Sequence, residues 1–192
     1  YVSGETEFTL SASDPDIEEG VPGSGVALTE YNIDGGDWIE YSLGFTLPPV
    51  CVHNISYRSK DNVGNLEVTK ILLDVRKDKT PPVTESAYSS PSYIDSEGRL
   101  YVSEETEFTL TAMDPMDPVI SDLPGSGVAL TEYKIDDGAW TVFSPFRVPE
   151  EGPHTIYYQS VDNVDNVEVA KSLSIIVDDT PPVTTVSVGD PK

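Results

Sequence analysis

The chain is poor in cysteine, in basic residues and in long apolar runs. Cys51 is its only cysteine, which excludes a disulfide bond within the 192 residues. Its 11 lysines and arginines face 34 acidic residues, for a net charge of −23, and such a surface repels nucleic acid and anionic lipid. We therefore expect no nucleic-acid partner. We also expect no membrane insertion, because no apolar stretch reaches the length of a membrane span.

Most of the chain consists of an internal repeat with a period of about 100 residues, the usual size of an Ig-like domain. The matched segments are Tyr1–Leu10 with Tyr101–Leu110, Pro22–Tyr31 with Pro124–Tyr133, Asp61–Asn65 with Asp162–Asn166, and Asp78–Thr84 with Asp178–Thr184. The counterpart of Cys51 is Gly152, so we interpret the thiol as incidental. The repeat predicts domains at 1–79 and 80–179, and a segment at 180–192 that begins a following unit.

The apolar residues within each copy follow the pattern of β-strands. Alternation of apolar and polar residues over Phe8–Ala12 is typical of a half-buried strand. Asp34-Gly-Gly36 lies between two strand-like segments and indicates a hairpin turn. The last strand is expected over Val68–Val75, matched by Val169–Val177, and an extra residue in the first copy predicts a β-bulge there.

About seven short strands per copy, with turn residues every 8–12 positions, predict an all-β fold of two tandem Ig-like antiparallel β-sandwiches. The first sandwich is expected to lack its own first strand, because the copy that opens at Tyr1 has no counterpart of the segment after Pro82. A spare strand is expected at the C-terminus, after Thr180. The Thr80-Pro-Pro82 linker predicts a stiff, extended junction between the copies.

The missing strand and the spare strand have two explanations, and the sequence leaves both open. Either the chain is a window cut from a long covalent array, or separate subunits join when the spare strand of one completes the sandwich of the next. The residues expected to act as the donor strand are Val183, Thr185, Val186 and Val188. In both cases the expected partners are neighbouring copies of the chain itself.

Acidic and amide residues recur in the loop after the second strand and in the loop after the sixth strand. These loops share one end of an Ig sandwich, and carboxylate and amide oxygens are the ligands that Ca²⁺ takes. The candidate calcium ligands are Asp14, Asp16, Asp61, Asn62 and Asn65 in the first copy, and Asp114, Asp117, Asp162, Asn163 and Asn166 in the second. A purely structural interpretation competes with calcium, since Asp and Asn also stabilise turns.

No catalytic constellation emerges from the sequence. Gly23-Ser-Gly25 lacks the spacing and the strand-to-helix context of a nucleophile elbow. His53 and His154 are expected to be buried, hydrogen-bonded structural residues. The aromatic residues of the hairpins are expected to pack on the sheets, and the alternative is a sugar-stacking platform. That platform would comprise Trp38, Tyr41, Trp140 and Phe143.

With these motifs in place, the chain resembles the bacterial Ig-like tandem repeats of large cell-surface and extracellular proteins. The resemblance covers both copies and is carried in the first by Ser11–Asp14, Gly23–Ala27, Tyr31–Gly36, Trp38, His53–Tyr57, Asp61–Asn65 and Thr80–Pro82. It implies a non-catalytic extracellular repeat that acts as a spacer or stalk, or that polymerises head to tail by β-strand complementation. The alternatives are an adhesive or glycan-binding module and an accessory domain of a secreted hydrolase.

Overall fold

A computed structural model of the chain describes residues 1–49, 52–115 and 124–188. The described residues form β-strands, with no helix that could span a membrane. The strands are β1 (Glu7–Phe8), β2 (Val26–Ile33), β3 (Ile39–Glu40), β4 (Phe45–Thr46), β5 (Val52–Asp61), β6 (Lys70–Arg76), β7 (Val83–Tyr88), β8 (Ser92–Ile94), β9 (Leu100–Val102), β10 (Phe108–Met113), β11 (Val128–Ile135), β12 (Thr141–Val142), β13 (Gly152–Asp162) and β14 (Lys171–Val177). The all-β, Ig-like sandwich fold predicted from the sequence is confirmed.

Contacts between Cα atoms divide the chain into two compact units. The first comprises Tyr1–Pro82, Asp114–Ala129 and Val161–Val167. The second comprises Val83–Met113, Leu130–Ser160 and Glu168–Lys192. The domain boundaries drawn from the repeat stay a prediction, and "first repeat" and "second repeat" below refer to residues 1–79 and 80–179.

The first repeat contains a four-stranded sheet in the order β3-β2-β5-β6 and a separate pair, β1-β4. All of these strand pairs are antiparallel. The buried apolar core consists of Leu47, Ile55 and Val75, with Phe8 and Phe45 packed against it while still partly exposed. This repeat therefore has a small core relative to its length.

The β-bulge predicted in the last strand of the first repeat is present. The pairing of β5 with β6 shifts register between His53 and Ile55, where two residues of β6 oppose the single residue Asn54 of β5. The backbone accommodates the extra residue at Asp74, which has a φ of 54°. The Asp74 N–H donates to the side chain of Asn54. The second repeat has no such shift between β13 and β14.

The second repeat has a six-stranded sheet in the order β12-β11-β13-β14-β9-β8 and a second sheet formed by β7 and β10. One pair of the larger sheet, β14 with β9, is parallel. Ten buried residues form the core, eight of them on the two sheets and two, Phe146 and Val148, on the segment between β12 and β13: Leu100, Val102, Phe108, Leu110, Phe146, Val148, Ile156, Tyr158, Ile175 and Val177. The two sheets thus enclose one continuous apolar interior.

The strand predicted over Phe8–Ala12 is shorter than expected. Only Glu7 and Phe8 form a ladder, whereas the corresponding β10 runs over six residues and pairs along its whole length with β7. The strand is short because it lacks a partner strand, since a strand persists only where its backbone N–H and C=O groups find hydrogen bonds. No strand of the described first repeat occupies the position that β7 has in the second.

Residues 181–188 belong to no sheet and are exposed throughout. Val183, Val186 and Val188 are 89%, 89% and 92% exposed. The segment has the sequence of a strand but no partner strand within the described chain.

Candidate functional site

β7 places Thr84 in a buried polar pocket of the second repeat. The Thr84 backbone N–H donates to Glu168 Oε1 at 2.9 Å, and its hydroxyl donates to Glu168 Oε2. The Thr84 hydroxyl also lies 2.7 Å from the Ser160 hydroxyl, and Lys171 Nζ donates to the Thr84 carbonyl oxygen at 2.6 Å. Thr84 and Ser160 are both fully buried. Every polar group of this threonine therefore has a partner.

The carboxylate of Glu168 is charged within this pocket. Burial opposes its ionisation, but the hydrogen bonds from the Thr84 side chain and backbone, together with the Lys171 ammonium, outweigh that effect and lower the pKa of Glu168. A buried carboxylate that accepts several charge-assisted hydrogen bonds fixes its partners strongly. β7 is thus held by main-chain pairing to β10 and by one polar anchor.

The first repeat presents the same acceptor residues around an open cavity of about 550 Å³. We call this cavity the acceptor groove, and its defining residues are Thr9–Ala12, Thr29, Tyr57, Ser59, Glu67 and Lys70. The sequence alignment matches the last four to Tyr158, Ser160, Glu168 and Lys171. Nothing within the described first repeat corresponds to Thr84.

The side chains of the acceptor groove already have the geometry seen around Thr84. Thr29 and Ser59 hydroxyls lie 3.0 Å apart, as Thr131 and Ser160 hydroxyls lie 2.8 Å apart. Lys70 pairs with Glu67 at 2.8 Å and Lys171 with Glu168 at 2.9 Å.

The two glutamates differ in exposure. The Glu67 side chain is 34% exposed and that of Glu168 is 7% exposed. The hydrogen bond from Lys70 lowers the pKa of Glu67, so a carboxylate ready to accept hydrogen bonds faces the open groove.

The burial pattern of β7 shows which residues of a strand face the groove. Along β7, Thr84 is buried and Ser86 and Tyr88 are partly buried, while the residues between them are exposed. In the C-terminal segment the corresponding inward positions are Thr184, Val186 and Val188. Val183 and Thr185, predicted as donor residues from the sequence, correspond to outward positions.

Thr184 was missed by sequence reasoning, which weighed only the apolar and β-branched character of the segment. A signal for it was present in the sequence. Thr84 and Thr184 both follow Pro-Pro-Val, and the residues that receive Thr84 recur in the first repeat as Ser59 and Glu67. When both partners of a contact recur in a repeat, their recurrence indicates that the contact recurs as well.

A second candidate site is a cluster of three carboxylates, Asp78, Asp114 and Asp162. All three belong to the first compact unit, and one oxygen from each lies within 4.8 Å of the others. Asp78 and Asp162 are buried and Asp114 is partly buried. Two of the predicted calcium ligands, Asp114 and Asp162, are therefore brought together by the fold. The third, Asp78, lies between β6 and the Thr80-Pro-Pro82 linker and was not predicted.

Backbone groups hold each carboxylate of the cluster in place. Asp78 Oδ2 accepts from the Ser126 N–H at 2.6 Å, and Asp114 Oδ2 accepts from the Gly127 N–H at 2.7 Å. Asp162 Oδ1 accepts from two backbone N–H groups of its own turn, and its Oδ2 accepts from the Asn166 side chain. A Cβ at Gly125 would lie 2.4 Å from the Asp114 carboxylate, so the Gly-Ser-Gly loop is a cradle for an aspartate.

The cluster is electrostatically frustrated at Asp114. Asp114 Oδ1 is buried and has no hydrogen-bond partner among the residues that the structure describes. Burial raises the pKa of Asp114, and the negative charges of Asp78 and Asp162 raise it further. Hard cations take several carboxylate oxygens at 2.3–2.6 Å, and a shared ion brings such oxygens to within about 5 Å of one another. The oxygens of this cluster fit that spacing, and calcium binding stays a prediction.

The other predicted calcium ligands hold turns. In the first repeat Asp14 accepts from the Gly25 N–H, Asp61 accepts from the backbone and side chain of Asn65, and Asn62 donates to the carbonyl oxygens of Ser24 and Gly25. Asn163 and Asn166 make the matching bonds in the second repeat. Asp16 is exposed, and Asp117 lies outside the described residues. The same turn hydrogen bonds thus form in both repeats. Among the described residues, a third carboxylate joins the loop aspartates only where Asp78 meets Asp114 and Asp162.

Both histidines pair with an aspartate of the preceding hairpin turn. His53 Nδ1 lies 2.7 Å from Asp34 Oδ2, and His154 Nδ1 lies 2.8 Å from Asp136 Oδ2. The other ring nitrogens contact backbone carbonyl oxygens. The hydrogen bond to Asp136 raises the pKa of His154, and the same bond lowers the pKa of Asp136. With acceptors at both of its ring nitrogens, His154 fits this site in its imidazolium form.

The hairpin tryptophans lie beside cationic side chains. The Arg58 guanidinium lies 3.9 Å above the Trp38 ring, and Lys134 lies 5.6 Å from the Trp140 ring. Phe143, another member of the predicted sugar platform, packs against the core. A ring face covered by a guanidinium is closed to a sugar.

No protein-family model matches the chain, and no curated protein matches it. Among solved structures, the fibronectin(III)-like modules of Clostridium thermocellum CbhA are similar to it, with 16% sequence identity and a TM-score of 0.45. The similarity covers 92% of this chain and 87% of that chain. The fold described here therefore rests on the strand order and the cores of the two repeats themselves.

Proposed function

We propose that the chain is a non-catalytic structural repeat of an extracellular or cell-surface assembly, and that it extends this assembly head to tail by β-strand complementation. The observation that carries the proposal is the match between the open acceptor groove and the pocket that β7 fills in the second repeat. The occupant we assign to the groove is the segment Val183–Val188 of a second copy.

The register of this contact follows from the pairing of β7 with β10. In that ladder Thr84 opposes Ala112 and Tyr88 opposes Phe108. The equivalent intermolecular ladder would place Thr184 opposite Ala12 and Val188 opposite Phe8. Main-chain hydrogen bonds would supply affinity, and the alternate side chains would fill the groove.

Exposed strand edges favour this kind of association. Residues 9–12 have backbone groups that no strand of the described first repeat pairs, and three valines of the C-terminal segment are almost fully exposed. Unpaired edges and exposed apolar segments are liabilities that proteins cover. Because the donor segment and the acceptor groove are different parts of the chain, the contact is heterologous, and each added copy presents a new acceptor from which a filament can grow.

The test is the assembly state of the full chain against a chain that ends at Thr180. We expect the full chain to form concentration-dependent linear oligomers in sedimentation velocity and filaments in electron micrographs. The shortened chain should stay monomeric with an unchanged circular-dichroism spectrum, because the deleted residues that the structure describes make no strand contacts. A full chain that stays monomeric, or a shortened chain that still forms filaments, would contradict the proposal.

A further inference from the structure

We propose that Thr184 is the recognition residue of the donor strand, and that Glu67 and Lys70 of a second copy form hydrogen bonds with its hydroxyl and its backbone. This inference rests on the proposed strand complementation and names the side-chain contact that gives it specificity. The acceptor groove would thus select a strand that carries threonine two positions after Pro-Pro.

The pocket around Thr84 shows what a side-chain hydroxyl contributes at this position. Glu168 accepts from both the backbone N–H and the hydroxyl of Thr84, and Lys171 donates to its carbonyl oxygen. A valine has the same shape but no hydroxyl, so it would leave a carboxylate oxygen without that donor. Leaving a charged acceptor short of a partner on burial is costly, whereas a merely apolar contact would tolerate the exchange.

The acceptor groove is arranged to receive the same residue. Glu67 and Lys70 already form their ion pair, and the Ser59 hydroxyl is already held by Thr29. Docking would therefore order few side chains, which lowers the entropic cost of association. The carboxylate of Glu67 would change from about one-third exposed to buried, as its counterpart Glu168 already is.

The register of the strand decides which of two adjacent threonines, Thr184 or Thr185, meets Glu67. A slip by one residue turns every side chain of a strand to the opposite face. Such a slip would direct Thr185 instead of Thr184 at Glu67, and Ser187 instead of Val186 at the position where Ser86 donates to the Tyr158 hydroxyl in the second repeat. Thr185→Val is therefore a matched control, because it makes the same chemical change on the other face of the strand.

The experiment measures the dissociation constant of the head-to-tail contact by sedimentation velocity, using full-length variants. We expect Thr184→Val to weaken the contact by about 10- to 100-fold. Thr184→Ser keeps the hydroxyl and should stay close to the unmodified chain, and Thr185→Val should also stay close to it. All three monomers should melt at the same temperature, since both positions are exposed before association.

A mixing experiment assigns the acceptor. The Thr184→Val variant has an impaired donor strand and an intact acceptor groove. The Glu67→Gln variant has an impaired acceptor groove and an intact donor strand. Each variant alone should be largely monomeric, while the equimolar mixture should stop at a complex of two chains. That outcome supports a contact between Thr184 and Glu67 in which each chain offers one working end.

The possible failures are distinguishable. Thr184→Val chains that assemble like the unmodified chain, while chains ending at Thr180 stay monomeric, would overturn the recognition role and leave strand complementation in place. Loss of assembly with Thr185→Val instead would show the opposite face in the groove. An unmodified chain that never assembles would overturn both proposals.

Discussion

The two repeats carry matching residues but differ in how well those residues are buried. Phe108 and Leu110 are 2% and 7% exposed in the second repeat, whereas their counterparts Phe8 and Leu10 are only partly buried. The difference follows from β7, which pairs with β10 and closes the second sandwich. The second repeat therefore completes its core with added strands, β7 together with β8 and β9, rather than with a change of residue type at the matched positions.

Aromatic stacking is retained in both repeats despite that difference. Tyr133 stacks on Phe146 with ring centroids 3.7 Å apart, and Tyr31 stacks on Phe45 at 3.9 Å. Phe108 adds to the first stack at 5.5 Å, and Phe8 adds to the second at 5.7 Å. The aromatic stack therefore forms in each repeat whether or not a strand like β7 is present. Only the side of the core that faces β7 depends on that strand.

The largest expected effect contrasts Phe108→Ala with Phe8→Ala. Removing the buried Phe108 ring leaves a cavity in a closed core, so we expect a loss of about 3–5 kcal/mol in the free energy of unfolding of the second repeat. Removing the partly exposed Phe8 ring should cost the first repeat about 1–2 kcal/mol, because water already reaches it. Urea unfolding of each variant, followed separately for each repeat, measures both losses.

Each repeat has one tryptophan, which makes the separate measurement practical. Trp38 reports the first repeat and Trp140 the second, so the Trp140→Phe and Trp38→Phe backgrounds isolate the two signals. Equal losses for the two alanine variants would contradict the difference in burial. If strand complementation fills the acceptor groove, the Phe8→Ala loss should grow with protein concentration.

A smaller effect is expected at the carboxylate cluster, where three aspartates meet. If Ca²⁺ binds there, a concentration a hundredfold above its Kd should stabilise the fold by about 2–3 kcal/mol. Asp114→Asn should abolish this response. The same change should raise stability in chelator, because it removes one of three mutually repelling charges. Thermal melts with calcium and with chelator measure both.

Asp16→Asn is the matched control, since Asp16 was predicted as a ligand in the first repeat but is exposed. It should leave the calcium response unchanged. An unmodified chain with the same melting midpoint in calcium and in chelator would remove the calcium hypothesis. The turns held by Asp61 and Asp162 would then have a structural role alone.

A third effect concerns pH and the pair of Asp136 with His154. Because folding raises the pKa of His154, its contribution is complete below the unfolded pKa, near 6.5, and is lost as pH rises through the higher folded value. Folding lowers the pKa of Asp136, so its contribution is present above 3.8 and is lost as pH falls through the lower folded value. The pair should therefore stabilise the second repeat most between about pH 4 and 6.5.

His154→Gln tests this window. The variant should lose on the order of 1 kcal/mol at pH 5.5 and less at pH 9, where the histidine has given up its proton. Urea midpoints of the Trp140 signal at the two pH values measure the difference. A loss of equal size at both would show that packing of the ring, rather than its charge, holds the turn.

Much of this architecture could be predicted from the sequence because the repeat shows every motif twice. The alternation shared by Phe8–Ala12 and Phe108–Ala112 indicated a strand, which forms along its whole length only in the second repeat, and the extra residue before Asp78 indicated the bulge now seen at Asp74. What could not be predicted depends on contacts between residues far apart in the chain. The joining of Asp78 to Asp114 and Asp162, and of Thr84 to Glu168, needs the folded topology.

The smallest expected effect tests the turn where the repeats differ by one residue. Gly64 has a φ of 94° and its counterpart Asp165 a φ of 67°, so the turn keeps its left-handed conformation in both. Glycine adopts that region without steric cost, and aspartate adopts it with a modest one. Asp165→Gly should therefore stabilise the second repeat by about 0.5 kcal/mol, and Gly64→Asp should destabilise the first by a similar amount. Opposite signs in paired urea titrations would show that the two turns are equivalent. A loss from Asp165→Gly would instead reveal that the Asp165 carboxylate has a role of its own in the second repeat.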